Sequence, residues 1–129
     1  MREVQLPSGA TLKITPADFA VAKALFQAVS SELRTVRGNG IDDILKDIFC
    51  VGVSSSRIES CLWECFKKCM YNGGAGDLKI TADTFEPVER RVDYITVCME
   101  VAKENITPFV KSLYAELSGF RTMLENVQL

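Results

Sequence analysis

The chain has 129 residues, 47% of them apolar and 25% charged, and its 15 Lys and Arg against 17 Asp and Glu leave a formal charge of −2. That balance fits one globular domain with its own core and argues against disorder, against a basic surface for nucleic acid, and against a membrane span, since no apolar run nears the ~20 residues a span needs. Histidine is absent, which removes the commonest general base and the commonest neutral metal ligand, so an enzyme is not expected.

Residues 2–14 alternate in the manner of two short strands. Val4 and Leu6 mark one arm, Leu12 and Ile14 the other, and Pro7-Ser8-Gly9 makes the turn between them. Pro7 presets its own φ, and Gly9 can take a left-handed conformation. Two strands alone are marginal, so the hairpin needs a helix or another chain to lie on.

A helix is predicted next, with Thr15 as N-cap, Pro16 in the first position and Asp18 completing a capping-box-like start. Phe19, Ala22, Phe26, Val29, Leu33 and Val36 form its apolar face, and Gly38 stops it. A short helix follows, lined by Ile41, Ile44, Leu45, Ile48 and Phe49, with Asp42 and Asp43 at its dipole-favoured start. Ser56 and Glu59 predict a capping box opening a third helix that runs to Asn72. Asn72 to Asp77 is a glycine-rich break and the candidate hinge. Leu78 to Thr81 reads as a short extended piece, and residues 82–87 as a turn. Val88, Val92, Ile95, Met99, Ala102 and Ile106 then keep helical spacing. Thr107-Pro108 repeats the earlier Thr-Pro start, so a separate last helix is predicted with Phe109, Leu113, Leu117, Phe120 and Leu124 on one side. The predicted fold is a single mainly α domain over 1–129, of about four main helices, with the hairpin at 2–14 and the hinge at 72–77.

Three of the five cysteines, Cys61, Cys65 and Cys69, stand four residues apart. On one helix they fan over about 80°, beside the ridge of Ile58, Leu62, Phe66 and Met70. Zinc needs four suitable ligands, and neither a paired Cys-x-x-Cys nor an iron–sulfur spacing is present, even counting Cys50 and Cys98. A disulfide between positions four apart on a helix is geometrically poor. The opening residues lack the apolar stretch of an export signal, so reduced thiols in a cytoplasm are expected. Reduced cysteines on an apolar face pack as small hydrophobes, and no metal or cofactor is expected.

Gly73 to Gly76 follows a predicted helix and lacks the lysine of a phosphate loop, so it is a linker. Asp42, Asp43 and Asp47 read as a solvated helix start, and Arg90–Arg91 as a solvated face. On the third helix Trp63 lies about 120° from the apolar stripe and Tyr71 about 160°, with Lys67 between them. Aromatics off a core face mark contacts, so Trp63, Lys67 and Tyr71 are the expected partner-binding residues; the competing reading is that the hairpin or the glycine-rich loop folds over them.

The stretch from Leu6 to Val29, "LPSGATLKITPADFAVAKALFQAV", resembles the start of small tail assembly chaperones of long-tailed bacteriophages and prophages. The matching elements are Leu6, Pro7, Ser8 and Gly9, then Leu12, Lys13 and Ile14, then the helix from Pro16; that family carries an "LPSG" or "LPNG" turn in a short hairpin. The resemblance implies non-covalent binding of the tape measure protein and tail tube protein during tail morphogenesis, a capacity to self-associate, and residence in the bacterial cytoplasm and not in the mature virion. It implies no nucleic-acid or membrane partner. The rival readings are a structural tail component retained in the virion, a bacterial helical adaptor, and a cysteine-dependent metal or redox protein.

Overall fold

The alternating residues at the N-terminus form strands β1 (Arg2–Gln5) and β2 (Thr11–Ile14), paired antiparallel with Val4 opposite Leu12. Their turn is built as its residues require: Gly9 takes φ +94° and donates its N–H to the Leu6 carbonyl at 2.9 Å. The computed structural model describes residues 1–32 and 55–126, with side chains up to residue 119. The helix expected over Ile41–Phe49, its aspartates Asp42, Asp43 and Asp47, Cys50, the end of the first helix at Gly38 and the side chains of Phe120 and Leu124 lie outside the described residues.

The hairpin is half of a four-stranded antiparallel sheet. Strand β3 (Met70–Asn72) pairs with β2, placing Tyr71 opposite Leu12, and β4 (Leu78–Lys79) pairs with β3. The extended piece expected at Leu78 is therefore a strand. The helix expected to reach Asn72 stops earlier, at Phe66. Its closing turn tightens, with the Cys69 N–H on the Phe66 carbonyl at 2.9 Å, and the chain then satisfies the open edge of β2. The stretch expected as a hinge joins two paired strands. Its Asn72 Oδ1 accepts the Gly74 N–H at 2.9 Å, and Gly74 and Gly76 take positive φ.

Helix α1 is Phe19–Glu32, and it begins later than Thr15-Pro16 suggested. The Asp18 carbonyl accepts the first helical bond, from Ala22, because the chain ahead is held elsewhere: the Ala17 N–H donates to Asn105 Oδ1 at 2.8 Å. The buried face is also rotated from the expected one. Ala22, Leu25, Ala28 and Val29 enter the core, whereas Phe19 is exposed and Phe26 half-buried. Helix α2 is Ser56–Phe66, capped by Ser55 and not Ser56; the Ser55 Oγ accepts the Ile58 N–H at 3.3 Å. It buries Ile58, Leu62, Cys65 and Phe66.

Short 3-10 turns occupy Ala82–Phe85 and Val88–Asp93, and from Tyr94 one continuous helix, α3, runs to Asn126 over 33 residues. The two helices predicted on either side of Thr107-Pro108 are thus one. Pro108 removes a single N–H and crowds the Glu104 carbonyl, a cost of about 3 kcal/mol in a helix interior. The buried residues flanking it, Ile106 and Val110, offset that cost, and Phe109 stacks on Phe26 with ring centroids 5.2 Å apart. In the 3-10 turn the step per residue rises towards 120°, which throws the expected stripe out of phase; Val88 and Val92 end up exposed while Val97, Cys98, Val101 and Ala102 are buried.

The core lies where α1, α2 and the middle of α3 meet the sheet, around Leu12, Ile14, Leu25, Phe66 and Ile106. Buried Asn105 braces it, its Nδ2 donating to the Val101 carbonyl while its Oδ1 accepts the Ala17 N–H just ahead of α1. At the surface Arg2 on β1 reaches Glu100 and Glu104 of α3 at 2.8 and 2.9 Å. No helix among the described residues is long and apolar enough to cross a membrane.

Candidate functional site

The length of α3 decides where apolar surface is left exposed among the described residues. Thirty-three residues at 1.5 Å each span about 50 Å, against a breadth of roughly 36 Å for a globule of this size, so α3 is longer than the core of the described residues is broad. The excess lies at the C-terminal part, where every residue from Lys111 to Gly119 is exposed. Val110, Leu113, Tyr114 and Leu117 fall at the i, i+3, i+4, i+7 positions of one helix face. Val110 is buried, whereas Leu113, Tyr114 and Leu117 are 50%, 49% and 56% exposed. The stripe does not end with α3. Phe109, one turn before Leu113, touches Phe26 and Phe19, with centroids 5.2 and 6.0 Å away. Phe19 itself is 70% exposed. A hollow of about 330 Å³, lined by Phe26, Gln27, Ser30 and Ser31, opens beside this strip on α1. Phe19, Phe26, Phe109, Leu113, Tyr114 and Leu117 thus form an apolar strip crossing from one helix to the other. Lys111 flanks the stripe on one side and Glu116 on the other, each about 110° from its centre.

The expected partner-binding trio does not share a face. Lys67 follows the last residue of α2, exposed, with its Nζ 2.8 Å from Glu64. Trp63 is half-buried, packed edge-on against Phe66 at 4.9 Å, with its Nε1 donating to the Tyr94 hydroxyl at 3.4 Å. Tyr71 is in β3 and only 2% exposed, so its ring offers no surface. The reason is the early end of α2: the wheel that put Tyr71 outward assumed a helix running to Asn72, six residues beyond Phe66, where it ends. Phe85 packs against the ring edge-on, with centroids 6.1 Å apart, and the Arg90 guanidinium lies over it.

The cysteines sit where packing requires. Cys65 and Cys69 are fully buried, Cys98 is buried on α3, and Cys61 is half-buried with its Sγ 3.9 Å from the Ala24 carbonyl. Cys69 lies beyond the end of α2, so the three thiols do not form one helical row. Burial, reinforced by neighbouring Cys69, Cys61 and Glu64, pushes the Cys65 thiol up to about 12. Burial likewise pushes Cys98 up to about 11, and raises Cys69 despite a backbone hydrogen bond from Thr15. Thiols held protonated in this way are weak nucleophiles and weak metal ligands. Among the described residues no three Cys, Asp or Glu side chains converge as a metal site would require.

Sequence spacing alone marked Phe109, Leu113 and Leu117 as one helix face but not what that face meets. The missing signal was length: had the segments on either side of Pro108 been joined, the excess of helix over core would have been apparent. Comparison of the chain with models of known families, with curated proteins and with solved structures finds no match.

Proposed function

We propose that this chain is a tail assembly chaperone of a long-tailed bacteriophage or prophage, one that holds the tape measure protein, and tail tube subunits as they arrive, by non-covalent contact. The observation that carries the reading is the exposed apolar stripe of Leu113, Tyr114 and Leu117, on a helix that extends past the core formed by the described residues. An amphipathic helix presenting anchors at i, i+3, i+4 and i+7 can lie along another helix, which is what shielding a long helical partner calls for. The three exposed anchors, joined to Phe19, Phe26 and Phe109, make a strip of the kind that marks protein contact. The opening hairpin with Leu6, Pro7, Ser8 and Gly9 supports the same reading through its resemblance to such chaperones. In this role the protein works in the host cytoplasm and leaves before the tail is complete.

The test is co-expression with the tape measure protein of the same phage or prophage, followed by capture on a tag. Wild type retains the partner. Leu113→Asp with Leu117→Asp lowers retention by about tenfold or more, the loss expected when a contact hot spot is charged. Equal retention by both proteins sinks the reading. Mass spectrometry of purified particles separates the chaperone, which is absent from them, from a structural tail component, which is present.

A further inference from the structure

The turn that carries the resemblance has work to do inside the molecule. Asp93, at the junction of the second 3-10 turn and α3, is fully buried and has no ion-pair partner among the described residues. A buried carboxylate persists only where hydrogen bonds replace its water. Three do so here. The Ser8 N–H donates to Asp93 Oδ1 at 2.9 Å, the Ser8 hydroxyl donates to Oδ2, and the Tyr71 hydroxyl donates to Oδ2 at 2.7 Å. These donors come from different parts of the sheet, the tip of the β1–β2 hairpin and the middle of β3. The ring of Tyr71 is fixed from its other side as well. The Arg90 guanidinium lies over it, 5.6 Å from the centroid, and a Cβ at Gly73 would stand 2.9 Å from Arg90 Nη2, so glycine leaves the room that this stacking uses.

We infer that Ser8, Asp93 and Tyr71 form a polar joint that sets the base of α3 on the sheet, with Ser8 as its positioning residue. The joint gives the hairpin tip an internal partner. It takes both donors of Ser8 out of reach of any other protein, and it makes the direction in which α3 leaves the sheet depend on one serine. Charge-assisted hydrogen bonds to a buried carboxylate are the strong kind, and removing one donor leaves the carboxylate short of a partner. The inference concerns the chain alone and stands whether or not the chaperone reading does.

Hydrogen exchange read residue by residue by NMR tests it on the full chain. In Ser8→Ala the amides of residues 8–10 and 93–97 exchange about tenfold faster, whereas those of α2 change little. Ser8→Thr, which keeps the hydroxyl, restores the protection. The Ser8 amide proton, shifted downfield by its carboxylate acceptor, moves upfield in Asp93→Asn and stays in place in Ser8→Thr. If Ser8→Ala does not fold, Tyr71→Phe removes one donor without opening a cavity, and the same rise at residues 93–97 is expected. Unchanged exchange at the start of α3, or a uniform rise across all elements, overturns the inference.

Discussion

The two halves of α3 obey the same helical pattern and meet opposite fates. Between Val97 and Ile106 the apolar positions other than half-buried Met99 are buried against α1, α2 and the sheet; between Lys111 and Gly119 positions of the same character face outward. Ile95 and Leu113 are five full turns apart and share a face of the helix, as Ala102 and Ile106 do between them. Yet only the middle pair is covered. An apolar stripe therefore records that a helix has something to bury, and the tertiary structure decides what, if anything, this chain supplies to bury it.

The sharpest way to break the comparison is to truncate one residue in the covered half. Ile106→Ala empties a fully buried site and is expected to cost about 2–5 kcal/mol, read from the urea midpoint at constant slope. A cost under about 1 kcal/mol would mean that the middle of α3 is not core. The junction between the halves gives the next effect. Pro108→Ala restores a helical N–H and relieves the crowding at Glu104, so a gain of up to about 3 kcal/mol is expected in the same melt. A loss would show that the proline fits a bend this helix needs.

Alkaline pH separates the covered part by its thiols. Cys65 and Cys98 are held above the ordinary value of 9, at about 12 and about 11. As pH rises past 9, the unfolded chain releases these protons while the native chain keeps them. The unfolded state then binds fewer protons, and stability falls by about 1.4 kcal/mol per pH unit for each thiol until its folded value is reached. Below pH 9 neither thiol contributes a slope. Flat stability from pH 9 to 11 would place both thiols in contact with water. The smallest effect belongs to the bare half: Leu117→Ala should shift the melt by no more than about 0.5 kcal/mol, as exposed substitutions do. A larger shift would show that another part of this chain covers Leu117.

The outline was legible in the sequence because it depends on neighbours a few residues apart. Alternation around Pro7-Ser8-Gly9 announced the hairpin, the capping serine near residue 55 announced α2, and reduced cysteines on apolar positions announced filler. What failed were readings that needed a distant partner. The chain from Met70 to Asn72 has helical spacing in the sequence but lies along β2, because an open strand edge five dozen residues earlier competes for its backbone groups. Tyr71 moved with it from expected surface to core. Phe19 and Phe26 left the expected core because the face of α1 that is buried carries Ala22, Leu25, Ala28 and Val29 instead.

By itself, then, the sequence determined a helix-rich domain that opens with a hairpin and carries no histidine chemistry. Local propensity and short-range spacing suffice for that. Only the tertiary structure decided that Ser8 meets a carboxylate 85 positions away, that Pro108 lies within one helix, and that the apolar stripe of α3 outruns the core of the described residues. Burial and pairing are properties of where segments end up relative to one another, and a periodic pattern carries no information about the length of the surface waiting to receive it.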